Sequence, residues 1–148
     1  MTAAITATGR YGRVGALRGV DRAVGQGEVL ALLGPNGAGK TTFVEILEGF
    51  RQPTSGSASV LGIDPATGDS AWRARLGIVL QSAGFFEALT PREITAHFAS
   101  FYPTPLDVDS VVEMVGLKEK RDARCKNLSG GQKRRVDLAL GIVGNPEL

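Results

Sequence analysis

The sequence predicts an α/β fold, and three observations predict it. A glycine-rich octapeptide, Gly34-Pro35-Asn36-Gly37-Ala38-Gly39-Lys40-Thr41, sits between a short apolar run and a helical pattern. The residues before it alternate β-compatible segments with glycine turns. The residues after about position 90 carry helix starts and stops instead. At 148 residues the chain has the length of one ordinary domain.

Taken in order, Ile5 to Thr8 is β-compatible, and Gly9 to Gly15 is a Gly/Arg turn region containing Tyr11. Leu17, Val20 and Val24 lie in a second extended stretch, closed by Gly25-Gln26-Gly27. Val29-Leu30-Ala31-Leu32-Leu33 is an apolar run suited to a buried strand. After the octapeptide, Phe43, Val44, Ile46 and Leu47 recur at helical spacing from Thr41 to Glu48, and Gly49 is the stop. Pro53-Thr54-Ser55-Gly56 is a turn, followed by a short strand over 57–61. Ser70 to Ala74 predicts a short helix holding Trp72, and Leu76 to Gln81 predicts a buried strand with a polar end. Such strand ends line the ligand crevice of open α/β sheets. Thr90-Pro91-Arg92-Glu93 reads as N-cap, first-turn proline and capping-box acid of a helix running to about Tyr102. Asp107 opens another, with Val108, Val111, Val112 and Val115 on its apolar side. Residues 82–127 therefore read as a helical insertion in a strand-rich core. A second glycine loop, Leu128-Ser129-Gly130-Gly131-Gln132, leads into a helix from Gln132 to about Val143, ended by Asn145-Pro146.

The octapeptide matches the Walker A pattern, and its flanks supply the strand–loop–helix context that the pattern requires. Glycines let backbone N–H groups close around phosphate oxygens, and the helix N-terminus adds positive potential. Lys40 then reaches the β- and γ-phosphates, Thr41 offers its hydroxyl to Mg²⁺, and Thr42 lies in the same first turn. Alone, this motif identifies a P-loop nucleotide-binding core and nothing finer.

Composition narrows the class further. Hydrophobic content of 43% and charged content of 22% are globular values. A net charge of +2 gives no electrostatic case for nucleic-acid binding. Cys125 is the only cysteine, so no intramolecular disulfide forms, and a reducing compartment is the natural setting. No apolar run approaches the roughly 20 residues that span a bilayer, so membrane association is expected to go through a partner.

With Lys133-Arg134-Arg135 and the helix behind it, Leu128 to Gln132 resembles the signature motif of the ATP-binding cassette family. Gln81 falls where that family carries its Q-loop glutamine, and Tyr11 where it carries an aromatic that stacks on adenine. The resemblance covers almost the whole chain. It implies a P-loop NTPase core, an antiparallel β subdomain and a helical subdomain over 82–127, within a nucleotide-binding domain over 1–148. It also implies a transporter subunit that binds MgATP and pairs head to tail with a second cassette. In such a pair Ser129, Gly130, Gly131 and Gln132 of one copy face the γ-phosphate held by Lys40 of the other. Gln81 is then a metal and water sensor, though a solvated strand end is the plainer role. The resemblance further implies a cytoplasmic chain held at the inner face of the membrane by a permease. Leu47-Glu48-Gly49, Pro53 to Gly56 and Val60-Leu61-Gly62 look most like the drug and polyketide efflux branch.

Other residues invite plainer roles. His97 precedes the signature motif, whereas the family's switch histidine follows it, so His97 is structural. Cys125 is a small packed residue, and Arg134 and Arg135 form a solvated helix face. Phe85 and Phe86 either meet a permease or pack in the helical subdomain. Two other functions compete: a non-catalytic nucleotide-binding module, and a soluble cassette protein of translation or DNA repair. A GTPase is disfavoured, because no Asn-Lys-x-Asp motif occurs.

In the family, an apolar strand ending in Asp-Glu follows a Pro-Glu-Leu such as Pro146-Glu147-Leu148. No Asp-Glu pair occurs in these residues, so binding of ATP is expected here and hydrolysis is not. Val29 to Leu33 would also lack parallel partners. The isolated 148-residue polypeptide is therefore expected to aggregate or fold only in part. A sharp, reversible thermal transition by that polypeptide would contradict this.

Overall fold

The computed structural model describes residues 3–8, 20–80 and 87–148. It divides into two compact units, one ending at Arg73 and the other beginning at Ala74. Tyr11, Gln81, Phe85 and Phe86 lie outside the described residues.

In the N-terminal unit, β1 (Ala3–Thr8) is the central strand of an antiparallel sheet ordered β2-β1-β3, with β2 at Val20–Val24 and β3 at Ser55–Ala58. Ala3 faces Val24 on one side of β1, and Ile5 faces Ala58 on the other. Helix α1 (Lys40–Leu47) buries Phe43 and Ile46 with Ala58, and Val24 and Leu47 pack at the margin. The helix stops where expected. Gly49 has φ 78°, and a Cβ there would stand 2.4 Å from the Pro65 carbonyl oxygen, so this helix stop accepts no side chain. Beyond a short 3₁₀ turn at Pro65–Thr67, the one-turn helix α2 (Ser70–Arg73) carries Trp72 into the interior. The Trp72 indole donates to the Val60 carbonyl at 2.9 Å, which satisfies the polar tip of an otherwise apolar ring.

The C-terminal unit is helical. Helices α3 (Pro91–Ala99), α4 (Val108–Met114) and α5 (Gly130–Ile142) close around Ile94, Val111, Val112, Leu117, Cys125, Val136 and Val143. Val111 and Val143 are fully enclosed, and each such side chain contributes about 1.5–3 kcal/mol of hydrophobic stabilisation. Cys125 belongs to this core, as its small apolar character suggests, and burial pushes its thiol pKa up. His97 is exposed and meets Phe98 and Phe101 edge-on, at ring separations of 6.2 and 5.1 Å.

Two expected strands are not formed. Val29 to Leu33 has no regular structure, and Val29 and Leu33 are 96% and 91% exposed. Hydrophobicity suits a run to a buried strand, but only a neighbouring strand can bond its backbone, and the described sheet is completed by β1, β2 and β3. Leu76 to Leu80 likewise forms no strand. Leu76 is buried, and the Gly77 N–H donates to the Leu148 carbonyl at 2.7 Å.

A capping box opens α3. The Glu93 N–H donates to Thr90 Oγ1 at 3.1 Å, and the Thr90 N–H donates to Glu93 Oε2 at 2.8 Å. These bonds from Thr90 hold the Glu93 carboxyl below the ordinary carboxylate range. A lowered native pKa means that the stabilisation is present above the unfolded pKa and fades as pH falls through the native one. In the full-length protein, Thr90→Ala should cost about 1 kcal/mol in urea unfolding, and Thr90→Ser should restore most of it. Glu93→Gln, which keeps the acceptor without the charge, should flatten this acid limb.

Candidate functional site

The first glycine loop ends directly in α1. Gly37 and Gly39 have φ of 83° and 84°, left-handed conformations that side chains rarely adopt, and these let the backbone fold back on itself. The Ala38 N–H donates to the Pro35 carbonyl at 3.2 Å, and the Phe43 N–H donates to Gly39 at 2.9 Å. Gly39 is the N-cap of α1, and no side chain caps this helix. No acidic residue lies in its first turn, so the positive end of the helix is not offset by its own side chains. The Lys40 ammonium donates to the Gly34 and Pro35 carbonyls at 2.7 and 2.8 Å, lying across the loop that precedes it. Asn36, Ala38 and Thr41 are exposed, and Thr42 is half-buried. The donor set is therefore backbone N–H, ammonium and hydroxyl groups, a chemistry that fits a polyphosphate. Thr41 presents its hydroxyl in the first turn of α1, at the exposed end of the helix. Among the described residues no cluster of three His, Cys, Asp or Glu could hold a metal ion by itself.

The second glycine loop opens α5. Its N-terminus is closed by a reciprocal pair: the Gln132 N–H donates to Ser129 Oγ at 3.2 Å, and the Ser129 N–H donates to Gln132 Oε1 at 2.9 Å. Of the two expected roles of this loop, the structure describes the plainer one, the N-cap. Ser129 Oγ accepts within the helix and keeps its own proton to donate. Ser129, Gly130 and Gly131 are exposed, and a Cβ on either glycine would meet nothing within 4 Å. The spacing of Ser129 and Gln132 is itself a capping-box signal in the sequence.

Arg134 and Arg135 are exposed, yet they are more than a solvated face. Arg135 Nη1 donates to the Gly116 carbonyl at 3.1 Å, and Arg134 Nη1 donates to the Leu80 carbonyl. Nearby, Asp137 is buried, with Oδ2 at 3.6 Å from Arg134. No motif flags these contacts, because their partners lie far away along the chain.

The sequence profile of the ABC transporter family matches residues 17–148. The chain belongs to the ABC transporter family. It is 40% identical over 134 residues to ATP-binding cassette sub-family A member 7 of Rattus norvegicus, covering 87% of this chain and 6% of that protein. It is 39% identical over 142 residues to the daunorubicin resistance ATP-binding protein DrrA2 of Streptomyces coeruleorubidus, covering 93% of this chain and 44% of that protein. To the methionine import ATP-binding protein MetN 2 of Burkholderia mallei it is 36% identical over 149 residues, covering 95% of this chain and 38% of that protein. The ABC chain thus spans less than half the length of each of these relatives. Its fold matches the solved ATP-binding cassette MJ0796, a dimer bound to ADP and Pi, with TM-score 0.78 and 25% identity over 99% of this chain and 71% of that one. The P-loop NTPase fold of ABC ATPase domains is therefore its fold, represented here by part of the domain's length. Among the described residues no helix is long and apolar enough to cross a membrane.

Burial raises the Asp137 pKa, and the Arg134 charge only partly offsets it. A carboxyl with a raised native pKa favours the folded state fully below its unfolded pKa, and that advantage is lost as pH rises through the native value. In the full-length protein, Asp137→Asn should raise the melting temperature at pH 8, with the gain vanishing towards pH 3. A gain that does not change with pH would contradict this assignment of the charge.

Proposed function

We propose that this chain is the ATP-binding part of an ABC transporter ATPase that couples ATP binding and hydrolysis to substrate export through a separate permease. The observation that carries the reading is α1, whose N-terminus is capped by Gly39 alone and stands beside Lys40. Gly34, Pro35, Asn36, Gly37, Ala38 and Gly39 would wrap the phosphates, Lys40 would bridge the β- and γ-phosphates, and Thr41 and Thr42 would hold the metal side. Tyr11 would stack on adenine, and Gln81 would contact Mg²⁺ and the attacking water. Bound MgATP supplies the phosphoryl group whose transfer to water drives the cycle. Residues 82–127 would act as the helical subdomain that faces the permease at the inner membrane surface.

Export is supported by the residues that resemble the efflux branch and by the likeness to a daunorubicin resistance protein.

The second glycine loop supports a shared site. One nucleotide needs one phosphate cradle, and the chain carries two glycine loops that each open a helix. The loop at Ser129 would therefore complete the site of a second copy, head to tail. Complementation between two single variants of the full-length protein tests this. Lys40→Ala should lower MgATP affinity at least about tenfold, and Ser129→Gly should leave affinity nearly intact while stopping hydrolysis. Glycine is chosen because it keeps most of the capping stability. Mixing the two inactive variants should restore turnover, since one of the two shared sites in a mixed pair is whole. No restoration in mixtures shown to form mixed pairs would sink the head-to-tail reading.

A further inference from the structure

The second glycine loop has a fixed shape, but its own helix does little to fix its place. The Ser129–Gln132 cap is internal to α5, and no residue from Ser129 to Arg135 is buried; core packing of the helix begins at Val136. The stretch just before the loop is held instead. Three consecutive residues, Arg124, Cys125 and Lys126, bond the three consecutive carbonyls that lead into α3. The Cys125 N–H donates to the Leu89 carbonyl at 2.8 Å, and the Lys126 N–H donates to the Glu87 carbonyl at 3.2 Å. Arg124 Nη1 donates to the Ala88 carbonyl between them. The same nitrogen lies 3.2 Å from Glu93 Oε2, the carboxylate oxygen that closes the α3 capping box. From there to the loop the turn is bonded within itself. The Asn127 N–H donates to the Arg124 carbonyl at 2.9 Å, and the Leu128 N–H donates to the Cys125 carbonyl at 3.2 Å. Cys125 and Leu128 are buried in the helical core, so this turn is anchored on its inner side. The Arg124 side chain, by contrast, is 53% exposed. An exposed ion pair adds little stability. A guanidinium that joins a backbone carbonyl to a carboxylate does restrict direction, because its donors are fixed in one plane.

We propose that Arg124 is a positioning residue that fixes the approach to the second glycine loop against the start of α3, and so sets where Ser129 stands toward a second copy. This rests on the reading above that Ser129 completes the nucleotide site of that copy. Ser129 follows Leu128 directly, and its φ and ψ of −65° and 161° continue the extended backbone of Leu128, at −82° and 146°, before α5 begins. The chain thus leaves the held turn through two extended residues, and a shift at Arg124 carries along it to the loop. A displacement on the order of 1 Å at a group facing a reacting phosphate can cost about a hundredfold in rate. Arg124 therefore matters little to folding and much to turnover.

The test uses ATP turnover by mixed pairs of the full-length protein. A Lys40→Ala copy paired with a Ser129→Gly copy has one whole site, built from Ser129 of the first and Lys40 of the second. Arg124→Met is then placed in one copy at a time. In the Lys40→Ala copy, which supplies the working Ser129, it should lower kcat about tenfold with KM for MgATP changed less than about twofold. In the Ser129→Gly copy, whose loop is already idle, it should change turnover less than about twofold. Arg124→Lys, which can still donate to the Ala88 carbonyl, should recover most of the loss in the first arm. Should Arg124→Met not fold, Glu93→Gln keeps an acceptor for the Thr90 N–H while removing the charge that seats Arg124, and replaces it with the same asymmetry expected. Equal losses in both arms, or none in either, overturn the positioning role and leave the shared site standing. No turnover in the reference pair, with mixed pairs shown to form, removes the shared site, and the positioning role falls with it.

Discussion

The first N–H groups of a helix have no partners within the helix, and how each is satisfied organises this chain. In α3 and α5 the chain supplies its own acceptors, through Thr90 with Glu93 and Ser129 with Gln132. In α1 it supplies none from a side chain, and Gly39 stands where a serine or aspartate would be most stabilising. A helix start left open in this way, with an ammonium beside it, is costly as structure and useful as an anion site. The same physics gives α5 a mixed role. Its cap is complete, but the hydroxyl that completes it still carries a proton.

Features set by a few adjacent residues were legible in the sequence. Asp107 accepts from the Ser110 N–H at 2.9 Å and starts α4, as its position before the valine stripe suggests. Gly49 stops α1, and Trp72 is the buried residue of its short helix. The glycine loop ahead of α1 was legible for the same reason, since Gly37 and Gly39 take the left-handed φ that a tight turn needs. The apolar runs at 29–33 and 76–80 were not, because a strand is a property of two segments and the sequence shows one at a time. Both runs have the right composition. Neither has a ladder partner among the described residues, so one is left exposed and the other lies against α5 instead.

Arg134 shows a different limit. Periodicity placed it on the outer face of α5, and half of its side chain is indeed exposed. What periodicity cannot show is that a carbonyl belonging to a distant run comes within reach, or that Asp137 one turn on is buried. The run that carries that carbonyl lies against α5 where glycines at 77 and 141 let two backbones meet. The informative sequence signal was the charge in the middle of the pattern, an aspartate at a helix position that packing encloses.

The phosphate loop is therefore supported from one side only. Downstream, Phe43 and Ile46 anchor α1 in the small core with Ala58, and Lys40 bonds back to Gly34 and Pro35. Upstream, the loop hangs from Val29 to Leu33, whose end residues stand almost fully in water. Those two lysine bonds use carbonyls at the unsupported end, so they tie the loose side of the loop to the anchored side. An anion that drew the ammonium away would release that tie and leave the upstream end of the loop to the run before it. Whatever pairs the backbone of the run at 29–33 would order the loop from its second side, and order set in advance is order that a bound anion need not supply.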